Sequence, residues 1–219
     1  MAGQAVVKLV PNALKVSFPK SSMVLVSRAP KWDVEVFNAS ARTKFTRPLS
    51  KFAGFSRTGF AIAVGFYYSN IELSKCQKCT RYLDQDTNTY RASDRYLKEM
   101  RENLQRDNTM RGSARQATVL TGRAWPFPRQ EGIILSRLYG LAEITEIPLK
   151  YEVVDQDAHK KIGLSTSAMS KTNIADSEFV LPTNLKPVST MEAVQMDREG
   201  ENGLQSLLDG IDSNTREHR

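Results

Sequence analysis

Two residue types are nearly missing from this chain of 219 residues, which has two cysteines and two histidines. Cys76 and Cys79 cannot make the disulfide framework of a small secreted domain, so the expected setting is a reducing one, cytoplasmic or nuclear. With only His159 and His218 available, a Ser-His or Cys-His relay would have to rest on His159. Also absent are a Walker-type phosphate loop, a Gly-x-Gly-x-x-Gly turn after a strand, a Gly-x-Ser-x-Gly elbow and a His-Glu-x-x-His helix. These absences remove the recognisable hydrolase and dehydrogenase frameworks, and the chain is read as a non-enzymatic protein with no cofactor.

Long apolar runs are lacking too. The longest, Phe60 to Tyr68, is far short of the length that spans a bilayer. The apolar start, Ala5 to Val10, is interrupted by Lys8 and closed by Pro11, which is too short for a signal-peptide core. A soluble or peripheral protein without a transmembrane helix, and not secreted, is expected. Asn38-Ala39-Ser40 matches a glycosylation acceptor, a match that matters only after secretion.

The most informative absence is of one charge sign. No Asp or Glu lies between Val36 and Ile71, while Arg42, Lys44, Arg47, Lys51 and Arg57 alternate there with Phe45, Phe52, Phe55 and Phe60. Cations release counterions from a phosphate backbone and aromatic faces stack on unpaired bases, so this pattern suits RNA or single-stranded nucleic acid. The competing reading buries the phenylalanines in a core and leaves the cations on an ordinary wet surface. A second basic set, Arg106, Arg111, Arg115, Arg123 and Arg129, surrounds Gly112-Ser113 and the stiff Trp125-Pro126-Phe127-Pro128 segment. Arginine forks match phosphate oxygens, and Trp125 is a candidate for stacking, or else a lid on the core.

Charge is unevenly placed along the chain. Residues 1–150 hold 24 Lys and Arg against 12 Asp and Glu, and residues 151–219 hold 7 against 12. A basic body of +12 followed by an acidic segment of −5 fits a binder of polyanions whose own acidic part weakens non-specific contacts. The alternative partner is an anionic membrane surface, where the same cations meet lipid headgroups as in a matrix-type assembly protein. Self-association is expected in either case.

The first third reads as short antiparallel strands at Ala5 to Val10, Ala13 to Phe18, Met23 to Ser27 and Asp33 to Phe37, separated by Pro, Ser or Asn. Residues 59–70 read as a central strand buried on both faces, although periodicity alone does not separate that from a buried helix. Ser93 to Arg106 is the clearest helix, with Ser93 as N-cap and Leu97, Met100 and Leu104 on one stripe. Residues 107–117 form a loop. Strand composition returns at Thr118 to Leu120, Gly132 to Leu138 and Ala142 to Val154, the last broken at Pro148.

The fold class expected is therefore α+β: a β-rich, mainly antiparallel sheet or sandwich over residues 1–185, one prominent amphipathic helix, and a disordered acidic tail over 186–219. In the tail Leu204, Leu207, Leu208 and Ile211 recur at helical spacing and offer a docking segment for a protein partner. Leu204-Gln205-Ser206-Leu207-Leu208 resembles the Leu-x-x-Leu-Leu boxes of nuclear-receptor coactivators. Cys76-Gln77-Lys78-Cys79 has the spacing of half a zinc site whose other half is missing, so no metal is expected within one chain. The layout of a basic sheet domain with a tail is similar to that of small viral structural and accessory proteins such as matrix, nucleocapsid and movement proteins, though no motif carries the likeness.

Overall fold

The computed structural model describes residues 4–54, 71–76, 80–106 and 114–195. The expected central strand at 59–70, together with Phe55, Arg57, Cys79, Arg111 and the tail set Leu204, Leu207, Leu208 and Ile211, lies outside the described residues.

Five strands form an antiparallel meander in the order of the chain: β1 (Val6–Val10), β2 (Ala13–Phe18), β3 (Met23–Arg28), β4 (Val34–Asn38) and β5 (Thr43–Arg47). The alternation that predicts β2 places Leu14 and Val16 in the core, with Lys15 and Ser17 on the other face. Register carries this through the sheet. Leu14 and Val16 share a face with Leu25, Val34, Val36 and Phe45, while Val24, Val26 and Phe37 point the opposite way. Both faces are apolar at the centre because both are covered.

A second sheet holds β6 (Leu73–Lys75), β7 (Thr80–Tyr82), β8 (Gln85–Ala92), β9 (Ala114–Gly122), β10 (Pro148–Asp155) and β11 (Lys160–Ser165). Its order is β11-β10-β9-β8, with β6 and β7 both pairing the far side of β8, and every pairing is antiparallel. The β7–β8 hairpin turns on Leu83 and Asp84, both at positive φ, the geometry that matches the strand twist of a two-residue turn.

Among the described residues two longer helices, not one, accompany the sheets. The first, α1 (Asp94–Arg106), begins as predicted: the Ser93 hydroxyl oxygen accepts the Tyr96 N–H at 3.1 Å. No residue of α1 is fully buried; Tyr96, Leu97, Met100 and Leu104 are half-buried. The second, α2 (Arg129–Leu138), replaces the strand expected at Gly132 to Leu138. Gly132 to Leu135 is a short continuous apolar run, which periodicity cannot assign; Pro128 ahead of it and Glu131 in the first turn are the signals that decide for helix. Its core residues Ile134, Leu135 and Leu138 fall at helical spacing. Gly132 is needed there, since a Cβ would lie 2.3 Å from the Thr145 carbonyl oxygen.

The inner face of the meander packs against α2 through Leu14, Val16, Leu25, Val36 and Phe45 facing Ile134, Leu135 and Leu138, with Phe52, Ile147 and Leu149 completing the cluster. A separate cluster of Ala117, Val119, Leu141, Ile144, Tyr151 and Val153 stabilises the second sheet. On the outer face of the meander, Phe179 is 1% exposed among Ala13, Val26 and Phe37, and anchors the polar-looking segment 174–185 as a strap. Burying a side chain of that size contributes about 2–3 kcal/mol.

The body does not stop at residue 185. β12 (Lys186–Pro187) pairs in parallel with β5, and a short α3 (Met191–Gln195) puts Met191 and Val194 into the main core. The low average hydrophobicity of the region hides two apolar residues at i, i+3, enough to fix a single turn.

Candidate nucleic-acid interface

Four of the predicted cations follow one another along one border of the meander, on both of its faces, since the register sets Lys44 opposite Phe37 on the outer face and Arg47 opposite Val34 on the inner face. Asn38 ends β4, and its Oδ1 accepts the Ser40 and Ala41 N–H groups at 2.9 and 3.0 Å, closing the turn into β5. Arg42 completes the turn at φ 55, in the left-handed region that costs a side-chain-bearing residue about 1–2 kcal/mol. Lys44 lies in β5, Arg47 ends it, and Lys51 ends the 3-10 turn Leu49–Lys51 that follows. Lys186, a cation not singled out in the sequence, joins them because β12 sets it beside Thr43 and its N–H donates to the Arg42 carbonyl at 2.8 Å. Nothing near residue 186 in sequence signals a parallel pairing with residue 43.

Arg42 and Arg47 are five residues apart on extended chain, so the row spans about 17 Å. Among the described residues, Lys44 has a carboxylate partner, Glu35 at 3.1 Å, whereas Arg42, Arg47, Lys51 and Lys186 have no ion pair. Arg42, Arg47, Lys51 and Lys186 are all exposed. The Arg47 guanidinium stacks over the Phe45 ring at 5.1 Å, an arrangement that orders it without neutralising it.

The aromatic half of the prediction fares differently. Phe52 is 3% exposed and Phe45 7%, both in the main cluster, so neither offers a ring face to a base. The segment is held from behind by Arg137 of α2, which donates to the Leu49 carbonyl and, at 3.1 Å, to the Phe52 carbonyl. Backbone hydrogen bonds and burial turn Phe52 inward.

The second basic set is divided. Arg115 near the start of β9 and Arg123 just past its end stand about 27 Å apart along the strand, both exposed. Trp125 is half-buried against the main cluster, edge-on to Phe127 with centroids 6.0 Å apart, and its ring covers Gly122 so closely that a Cβ there would meet it at 2.5 Å. Trp125 is a lid on the core. Arg129 is exposed at the start of α2.

Two further polar groupings, around Glu146 and around Asp155, are satisfied internally. Glu146 accepts from Lys75 at 2.8 Å, Asn88 at 3.0 Å and the Thr121 hydroxyl; burial opposes its charge, but these donors hold its pKa below the ordinary carboxylate value. Asp155, Asp157 and His159 can bring ligand atoms within 4.8 Å of one another. Asp155 is already engaged by the His159 N–H at 2.8 Å and by Lys161 at 3.5 Å. Burial works against its charge, yet the His159 N–H and side chain and Lys161 keep its pKa lowered. Cys76 is half-buried, with its N–H donating to Thr89 at 2.7 Å. Among the described residues no helix is long and apolar enough to cross a membrane.

No family model matches the chain, and no curated protein matches it. A solved structure of an uncharacterized conserved protein from Thermus thermophilus aligns over 81% of each chain at 9% identity with a TM-score of 0.34.

Proposed function

We propose that this protein is a non-enzymatic binder of RNA or single-stranded nucleic acid that holds the phosphate backbone along the β5 border. The observation that supports this reading is the row of Arg42, Arg47, Lys51 and Lys186, exposed and without carboxylate partners, beside the half-exposed Lys44. With Phe45 and Phe52 in the core, binding is dominated by phosphate contacts and is tolerant of sequence, because neither of these two rings, among the described residues, offers a face at the border to read or stack bases. The same burial favours phosphate over lipid, since membrane insertion would need those side chains at the surface.

Fluorescence anisotropy with a labelled single-stranded RNA tests the proposal. Four phosphate contacts predict a slope of log affinity against log salt of about −3, and a loss of roughly 50-fold between 50 and 200 mM. Arg42→Glu, Arg47→Glu and Lys51→Glu together should remove that binding while leaving the thermal transition in place. Unchanged affinity would sink the assignment, and tighter binding to anionic vesicles than to RNA would replace nucleic acid with lipid.

A further inference from the structure

The two sheets have four borders, and three of them are protected among the described residues. The β5 border is covered by residues 186–188 and blunted by Pro187, which has no N–H to offer. The far side of β8 is divided between two strands of three residues each. β11 pairs β10 through a register shift between Tyr151 and Glu152, an irregularity that twists an edge away from further pairing. β1 has no such device. Among the described residues its outer edge pairs with nothing, and Val6 and Val7 are 47% and 39% exposed. Its single charge, Lys8, is met by Glu178 at 2.8 Å.

We propose that β1 is a dimerisation edge that pairs antiparallel with β1 of a second copy of this chain, joining two meanders into one continuous sheet. The strand is complementary to itself. A two-fold axis at Lys8 sets Val7 opposite Leu9 of the other copy, on the face where Leu9 already packs against the main core. It also sets Val6 opposite Val10 on the outer face. Lys8 then meets Lys8, a juxtaposition that bare ammonium groups would resist. Here each brings its own carboxylate, because the strap anchored by Phe179 delivers Glu178 to both Lys8 and Lys15. A foreign strand would have to match this alternation by chance, whereas a second copy does so by symmetry. An edge of five residues is smaller than a standard interface of about 1,600 Å², so the dimer is expected to dissociate in the micromolar range. The inference is independent of anion binding, as β1 and the β5 border lie at opposite ends of the sheet.

Sedimentation of the full chain across dilutions reads the dimer directly, and Val6→Lys with Val7→Lys should shift it to monomer. If that variant does not fold, Lys8→Cys decides the matter on an otherwise unaltered edge. Opposed residues of antiparallel strands stand about 4.5–5.5 Å apart between Cα atoms, within disulfide reach, so mild oxidation should yield a covalent dimer. Ser17→Cys, on the neighbouring strand, should not. A monomer up to about 100 µM, assemblies larger than a dimer, a dimer indifferent to the lysine pair, or no Lys8→Cys cross-link would each overturn the proposal.

Discussion

Asn38 and Val194, 156 positions apart, are joined by a buried hydrogen bond from the Asn38 Nδ2 to the Val194 carbonyl at 3.1 Å. The other end of the same amide holds the Ser40 and Ala41 N–H groups. One side chain therefore shapes the turn that presents Arg42 and pins the helix that ends the described body. It is 1% exposed, so the acceptor triplet it heads has no room for a glycan.

Asn38→Ala is accordingly expected to act in two places. It strands the buried Val194 carbonyl and loosens the turn, and the lost hydrogen bonds together should cost about 2–4 kcal/mol. Urea unfolding measures that loss. RNA affinity should fall along with it even under conditions where the variant is fully folded, because the Arg42 turn is no longer ordered. A variant of parental stability would mean that water replaces the amide at both sites.

Arg42 gives a cleaner separation of charge from conformation. At φ 55 a glycine is at ease, so Arg42→Gly is expected to leave stability unchanged or raised by about 0.5–1 kcal/mol. RNA binding should nonetheless weaken, with the salt slope smaller in magnitude by about 0.7, the contribution of one phosphate contact to a single strand. A glycine variant with an unaltered slope would place Arg42 outside the interface.

Four strands of the meander were legible in the sequence because they are short, Val-rich runs separated by Pro, Ser or Asn, with a clear alternation in Leu14 to Phe18; β5 was legible only as a basic and aromatic stretch. Arg42, Arg47 and Lys51 were legible too, because charge of one sign over a long stretch leaves few carboxylates nearby, although Lys44 finds Glu35 on the neighbouring strand. Three features were hidden. The apolar run in α2 lacks a period. Phe52 is indistinguishable in sequence from an exposed aromatic until Arg137 draws its backbone inward. Lys186 depends on a pairing across more than half of the chain, which no local pattern records.

Glu131 ties stability to pH. Both carboxylate oxygens are buried with no hydrogen-bond partner, and desolvation pushes the pKa from 4.5 up to about 8. The folded state therefore keeps a proton that the unfolded chain releases near 4.5. The stability this group contributes is fully present below that value and is lost as pH rises towards 8, by a few kcal/mol at 1.36 per unit. Glu131→Gln cannot ionise, so it should flatten this part of the profile and be the more stable protein at pH 8. Parallel unfolding curves for both proteins from pH 5 to pH 9, if they kept a constant separation, would show that Glu131 does not titrate in this range.

The acidic tail should compete with nucleic acid for the β5 border. Residues 196–219 hold six acidic against three basic side chains, and Met191 and Val194 immediately before them are core residues. The informative truncation therefore ends at Gln195; an earlier cut would remove Val194 and confuse lost shielding with lost packing. With the core intact, the shortened chain should keep its thermal transition and bind RNA severalfold more tightly at low salt. The difference should shrink as salt screens the tail from the border, since the Debye length falls from about 10 Å at 0.1 M to about 3 Å at 1 M. Weaker binding after truncation would instead make residues 196–219 part of the binding surface, and an unchanged affinity would leave the tail without a role at the border.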